Sequence, residues 1–223
     1  MILWISLSLT CKAQVIDTKV SLHAAYFTGI FHGKPQVQEN NFLYPSLYSN
    51  MNNIHGFKLK IMVNPQRNIS LGIGTSSLYA FGWDYSDSAV YQGAEINMRS
   101  LAPVLQYHTA LSNHGFFNRG KMYAEISPLA GYSDLDLMDP LFEIYDTLGR
   151  IIPPKESHDL FFGIAATLGL EWAITQAVGF TLSYSYQYNW INAALYADNH
   201  FVFSRIHAGI SLKLIKDKHF IYR

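Results

Sequence analysis

Five ionisable side chains lie in stretches that are otherwise poor in charge, and these are the residues with the clearest capacity for chemistry. They are three lysines and two glutamates: Lys19, Lys60, Glu125, Glu171 and Lys213. Opposite charges that are buried together persist only when they are paired and hydrogen-bonded. We therefore predict a structural network of ion pairs. The alternative is a path for protons or ions through the same groups.

A catalytic serine would need a base within hydrogen-bonding reach. The nearest candidate is "FSRIHAG", where Ser204 and His207 are three positions apart. The lipid A deacylase barrels carry a His-x-Ser-Asn-type element, and this stretch has its residues in a different order. A chance match is the better interpretation of so short a motif, and we predict that the protein is not an enzyme.

Asp134, Asp136 and Asp139 are spaced closely enough to suggest calcium binding. Their segment lacks the central glycine and the terminal glutamate of a calcium loop, which favours a solvated acidic rim. We expect neither a metal nor another cofactor. Apolar side chains follow in the same segment, and an exposed apolar cluster of this kind often marks a protein contact. A loop that packs on itself is the alternative.

Composition limits the kinds of partner. Charged residues make up 14% of the chain, well below the roughly 25% of soluble domains, and Lys+Arg and Asp+Glu balance at 16 each. No basic field is available to attract nucleic acid. The opening "MILWISLSLTCKA" is a short apolar run that ends in a small residue, so residues 1–13 are predicted to be a secretory signal peptide. The chain from 14 to 223 would then lack cysteine.

The elements that position these side chains are strands. In "AVGFTLSYSYQYNWINA", large residues such as Phe180, Leu182 and Tyr184 alternate with small polar ones such as Thr181 and Ser183, which is the period of a β-strand. The same test predicts eight strands, at about 17–31, 53–64, 69–83, 95–111, 121–133, 159–173, 177–190 and 201–215.

The facing of these strands distinguishes a membrane protein from a soluble one. A soluble barrel would carry charged residues on the face opposite its large residues. Here that face is mostly glycine, alanine, serine and threonine, which suits the narrow interior of an eight-stranded barrel. The large apolar residues therefore face outward, toward hydrocarbon. A soluble calycin-like carrier is the alternative.

The connections alternate between short turns and long loops, the long ones near 32–52 and 134–158. This alternation predicts an all-β, eight-stranded, antiparallel up-and-down transmembrane β-barrel with its loops on the extracellular side. Amphipathic rings should form girdles at both membrane interfaces. The predicted girdle residues are Tyr79, Phe81, Trp83, Trp172, Tyr186, Tyr188 and Trp190.

The pieces "GIAATLGLEWAI" and "VGFTLSYSYQY" resemble the small outer-membrane barrel family that includes the OmpA- and OmpX-type proteins, and "CKAQ" resembles the signal ending of Bacteroidota-like barrel proteins. The resemblance implies a monomer in the bacterial outer membrane, in contact with lipid and free to bind a protein partner through its extracellular loops. We expect a non-catalytic role in envelope structure, adhesion or docking. The alternatives are a lipid-modifying barrel enzyme and a component of a secretion machine.

Overall fold

The structure is a computed structural model. It describes residues 18–32, 38–39, 42–43, 54–66, 68–83, 93–110, 119–138, 155–175, 177–191 and 200–216. The predicted signal peptide, Asp139 and most of the long loops lie outside these residues. Within the described ranges, no helix is long and apolar enough to cross a bilayer.

Eight long strands form one closed antiparallel barrel, as the sequence predicted. In chain order the strands are β1 (Thr18–His32), β2 (Gln38–Glu39), β3 (Phe42–Leu43), β4 (Ile54–Gln66), β5 (Ile69–Trp83), β6 (Gly93–Ala110), β7 (Gly120–Met138), β8 (Lys155–Ala173), β9 (Val178–Ile191) and β10 (His200–Lys216). Each long strand pairs with its neighbours along the chain, and β1 pairs with β10 to close the wall. The short strands β2 and β3 pair only with each other.

The alternation seen in the sequence is the alternation between lipid and lumen. Leu182 and Leu168 are exposed on the outside of the wall, whereas Thr181 and Thr167 are buried inside it. Leu168 is 67% exposed and Ile73 is 60% exposed, values that an aqueous surface would penalise. A closed barrel with an apolar outer face satisfies its backbone internally, as hydrocarbon requires. The soluble-carrier alternative is therefore wrong.

The outward row of β8 shows how tall this apolar face is. From Leu160 to Trp172 every outward side chain is apolar, and His158 is the first polar one above them. Twelve strand steps at a barrel tilt span roughly 30 Å, close to the apolar band of outer-membrane barrels. The residues that precede Leu160 on β8 therefore lie above the membrane on the long-loop side.

The two rims differ in their connections. Between β8 and β9, Thr175 Oγ1 accepts hydrogen bonds from the backbone N–H groups of Ala177 and Val178, which closes a tight turn. At the opposite rim, β7 continues to Met138 and β8 begins at Lys155. The connection predicted at 134–158 is thus shorter, because both of its ends are strand. These extra residues raise the β7–β8 wall above the membrane.

The interior is more apolar than the sequence pattern predicted. Near the long-loop rim a cluster of large residues fills the lumen, and it includes Phe27, Phe161, Phe203, Ile54, Ile96, Leu129 and Leu135. Glycines make room for these rings. A Cβ on Gly56 would lie 2.4 Å from Cζ of Phe27, and one on Gly131 would lie 2.8 Å from a ring carbon of Phe161. Each of these glycines therefore lies next to a large ring in the same layer of the lumen.

One seam of the wall has an interrupted ladder. The pairing of β6 with β7 runs to Leu101↔Ala130 and resumes at Leu105↔Ile126, a register that sets Pro103 opposite Pro128. Proline has no N–H to donate, so both donors of this pair are missing. Both prolines are exposed on the lipid face. Pro103 is level with Ile73 and Pro128 with Ile164, in the middle part of the apolar band.

Candidate functional site

The lumen between the short-turn rim and the apolar cluster holds most of the buried charge. Glu125 on β7 is 1% exposed and faces two lysines of β4. Its Oε1 lies 2.7 Å from Nζ of Lys58, and its Oε2 lies 2.6 Å from Nζ of Lys60. Since β5 and β6 separate β4 from β7 in the wall, these ion pairs cross the barrel.

Glu171 on β8 is the second buried carboxylate, and it lies closer to the short-turn rim. Its Oε2 is 3.1 Å from Nζ of Lys121, and its Oε1 is 3.8 Å from Nζ of Lys213. The hydroxyl of Ser211 donates to Oε1 at 3.1 Å. The two glutamates are therefore each shared between two lysines.

Of the five residues predicted to form the network, the structure places four in ion pairs. The backbone of Lys19 lies in β1, and its side chain is outside the described residues. Two further lysines take part that the network prediction omitted. Lys58 is two residues from Lys60 and therefore faces the same side of its strand. This spacing is the sequence signal that could have identified Lys58 as a member of the network. Lys121 is the first residue of the strand predicted at 121–133 and lies on the same face as Glu125, so the same signal was available for it.

Arg205 on β10 is buried above the lysines, next to the apolar cluster. Its guanidinium carbon lies 4.7 Å from the centre of the Phe27 ring and 5.0 Å from that of Phe203, distances typical of cation–π contacts. The Nε group donates to the hydroxyl of Ser185 at 3.4 Å, and Nη2 donates to Oε1 of Gln187. Arg205 belongs to the stretch "FSRIHAG", and the sequence pattern predicted no role for it.

The structure separates Ser204 from His207 and gives each a different partner. His207 bonds to Ser185 inside the lumen at 2.7 Å. Ser204 bonds to Nε2 of His32 at 2.8 Å, on the outer face beside Tyr186, whose ring lies 5.7 Å from the imidazole. The Ser204–His32 pair, at the long-loop end of these strands, joins β1 to β10. No motif within a single strand could have shown it.

Aromatic side chains lie at both ends of the apolar band. Tyr79, Tyr186 and Trp190 are exposed near the long-loop rim, where Phe81 and Tyr188 are partly exposed. The Tyr188 ring packs edge-on against Trp190 with centres 4.5 Å apart. Trp172 lies at the opposite end, as does the exposed Tyr107, which the girdle prediction missed. Trp83 ends β5, and its side chain is outside the described residues.

The acidic residues at the top of β7 do not form a metal site among the residues described. Asp134 Oδ1 instead lies 2.9 Å from Nδ1 of His158 on β8. Both side chains point outward, above the apolar band. This part of the wall is polar on its outer surface.

The closed topology, the outward apolar band and the contrast between the rims are those of a bacterial outer-membrane protein. The chain has the fold of a small outer-membrane β-barrel. Searches for its relatives by sequence found neither a matching family model nor a matching curated protein. The fold resembles solved structures of bacterial surface barrels, and the predicted Bacteroidota-type source stays a prediction.

Three solved structures illustrate this likeness. Neisserial surface protein A shares 12% identity, covering 87% of this chain and 97% of its own, with a TM-score of 0.44. Ail, the attachment invasion locus protein of Yersinia pestis, shares 14% identity over 88% and 99% of the two chains, with a TM-score of 0.42. OprG from Pseudomonas aeruginosa shares 10% identity over 89% and 96%, with a TM-score of 0.49. The likeness concerns the fold.

Proposed function

We propose that this protein is a non-catalytic, monomeric outer-membrane barrel that supports envelope structure and docks another protein on its extracellular side. The observation that carries this proposal is the projecting wall of β6, β7 and β8. These strands continue past the apolar band, and the outward side chains of the projection that the structure describes are polar. A wall of paired strands is a rigid platform for binding, because its side chains are fixed by the sheet.

The projecting surface is built from specific contacts. The Asp134–His158 pair links β7 to β8, and Nδ2 of Asn97 donates to Oε1 of Glu95 at 2.6 Å on β6. Below them Tyr132 is 61% exposed at the upper edge of the band. A mixture of charged, amide and aromatic groups is typical of protein interfaces. The filled lumen behind this wall supports docking over transport as the role.

Photocrosslinking in intact cells would test docking directly. A photoreactive residue in place of His158 should yield a discrete protein adduct, because this position is exposed above the membrane. The matched control is Tyr107, which is equally outward but lies near the short-turn rim, within lipid. Docking at this surface would be refuted if both positions gave only lipid adducts.

A second candidate function rests on the Ser204–His32 contact. A serine hydroxyl 2.8 Å from an imidazole at the outer membrane interface has the geometry of a nucleophile with its base. The substrate class would be an ester-linked lipid of the outer leaflet. Against it, Ser204 is only 6% exposed, and no carboxylate among the described residues contacts His32 to orient the ring. Mass analysis of lipid A would decide: a Ser204→Ala strain whose acylation differs from that of the parent would favour the enzyme.

A further inference from the structure

The buried charges of the lumen do not balance. Besides Lys213, four cations line it below the apolar cluster, namely Lys58, Lys60, Lys121 and Arg205, and they face two carboxylates. Four minus two leaves an excess of two positive charges among these described residues. The other inward carboxylate, Asp159, lies at the long-loop mouth and accepts a hydrogen bond from Ser157. Uncompensated charge in an interior is costly unless an ion of opposite sign joins it.

Arg205 is the centre of this imbalance. It is 3% exposed, and none of the described carboxylates lies within ion-pair distance of it. The negative charge acting on it from further away is that of Glu125, which already serves two lysines. A guanidinium has five N–H donors, and the contacts to Ser185 and Gln187 use two of them. The other three N–H groups of the guanidinium are available to bind a ligand in its plane.

A second unused donor is joined to Arg205 through a hydrogen-bonded relay. Gln187 accepts from Arg205 and then donates from Nε2 to Oδ1 of Asn189 at 2.7 Å. Asn189 is completely buried, and its Nδ2 group has no hydrogen-bond partner among the described residues. This relay therefore begins and ends in unused N–H groups. Unused N–H donors on a buried cation are what an anion requires.

Among the described residues, the lumen is partly exposed on the side of the lysines and closed on the side of the apolar cluster. The side chain of Lys121, near the short-turn rim, is 18% exposed, and that of Lys58, deeper in the barrel, is 11% exposed. Beyond Arg205 the apolar cluster closes the passage, and Phe27, Phe161 and Phe203 are each no more than 1% exposed. In outer-membrane barrels the short turns face the periplasm. An ion entering from the periplasm would pass the lysines and stop at Arg205.

We propose that the lumen binds a small inorganic anion, of the size of chloride, at Arg205 and Lys58, and that it takes this anion from the periplasmic side. The site is a blind binding site and not a channel. Its ligands would be the unused guanidinium N–H groups and the Lys58 ammonium, which is near enough to Arg205 for the two positive charges to repel each other. Glu125 competes with the anion for Lys58, because both carry negative charge.

Chloride binding to the full-length protein in detergent micelles can be measured from the line width of the ³⁵Cl NMR signal. The parent protein should broaden this line beyond micelles alone. Arg205→Met should weaken binding by about tenfold or more, since a charge-assisted hydrogen bond contributes at least that much. The matched control is Arg99→Met, because Arg99 is exposed on the outer face of β6. Folding of each variant is checked by heat-modifiable gel migration.

If Arg205→Met does not fold, Lys58→Met carries the test, and Glu125→Gln is added with its folding checked because it is expected to be destabilised. Lys58→Met should weaken chloride binding, and Glu125→Gln should strengthen it by removing the competing carboxylate. A purely structural role for these charges would not produce changes of opposite sign. Equal line widths for the parent, both of these variants and empty micelles would overturn the proposal. So would a loss of broadening in Arg99→Met as large as that in Lys58→Met.

Discussion

Nζ of Lys60 lies 2.6 Å from Oε2 of Glu125, and this contact joins two strands that are not neighbours in the barrel wall. Both side chains are almost completely buried. A contact across the lumen fixes the distance between opposite walls, which the backbone ladder alone does not do. The ion pairs of Glu125 therefore hold the cross-section of the barrel as well as its charge.

Glu125→Gln should destabilise the barrel strongly. The change leaves Lys58 and Lys60 buried without their carboxylate, and stranding a buried charge typically costs about 3–5 kcal/mol. The free energy of unfolding would be measured by urea titration in lipid vesicles. Adding Lys60→Met to Glu125→Gln should recover part of the loss, because one uncompensated cation is removed with it.

Glu95→Gln is the control for this prediction. Glu95 is outward and only half-buried, so the substitution should change the free energy of unfolding by less than about 0.5 kcal/mol. The interpretation of the cross-lumen ion pair would be wrong if Glu125→Gln had an equally small effect, or if the double variant were as unstable as the sum of its parts.

Arginine on the lipid face should be costly in proportion to depth. Leu168 lies near the middle of the apolar row of β8, whereas Leu182 is paired with Leu170 near the short-turn rim. Leu168→Arg should cost about 2–4 kcal/mol of folding free energy, and Leu182→Arg should cost less because the penalty falls toward the interface. Equal costs measured by reversible unfolding in vesicles would contradict this depth assignment.

Gly169 should not tolerate a methyl group. A Cβ at Gly169 would lie 2.4 Å from Cζ of Tyr123 and 2.6 Å from Cβ of Ser183, whereas a Cβ at Gly74 has no neighbour closer than 3.2 Å. Gly169→Ala should therefore cost about 1–3 kcal/mol by overpacking. Gly74→Ala should be much milder. Urea midpoints of the two variants provide the comparison, and the reverse order would show that the lumen packs differently.

The barrel should not conduct as a general pore. Its long-loop half is closed by Phe27, Phe161 and Phe203, and its other half is crossed by ion pairs. Planar-bilayer recordings of the purified protein should show no large, stable, weakly selective channels. Conductance of that kind in the parent would mean that the apolar cluster opens in the membrane.

The sequence predicted the wall of this barrel well and its interior less well. Period-two alternation identifies strands and their faces because each strand has lipid on one side for as long as it is within the membrane. The interior depends on contacts between distant strands. That Lys58 and Lys60 share Glu125, and that Ser204 bonds His32 instead of His207, follows from the closure of the barrel. No pattern within a single strand contains this information.

The remaining differences between the prediction and the structure concern the ends of the strands. β7 extends beyond the apolar row at its end and β8 at its beginning, so several of these outer residues carry polar side chains that are typical of loops. The prediction therefore ended these strands at the point where Asp134 and His158 begin the projection. A strand that leaves the membrane loses its hydrophobic pattern without losing its hydrogen bonds to its neighbour, and hydropathy reports only the first of these.

The proline pair between β6 and β7 makes the wall mechanically uneven. Neighbouring strands can separate at Pro103 and Pro128 without breaking a hydrogen bond there, whereas β7 and β8 are paired without interruption from Gly120 to Leu137. When lateral pressure or bilayer thickness changes, the deformation of the cross-section will concentrate at the proline seam. The barrel then flexes about one line along its side, while the β7–β8 wall that projects from the membrane keeps its shape.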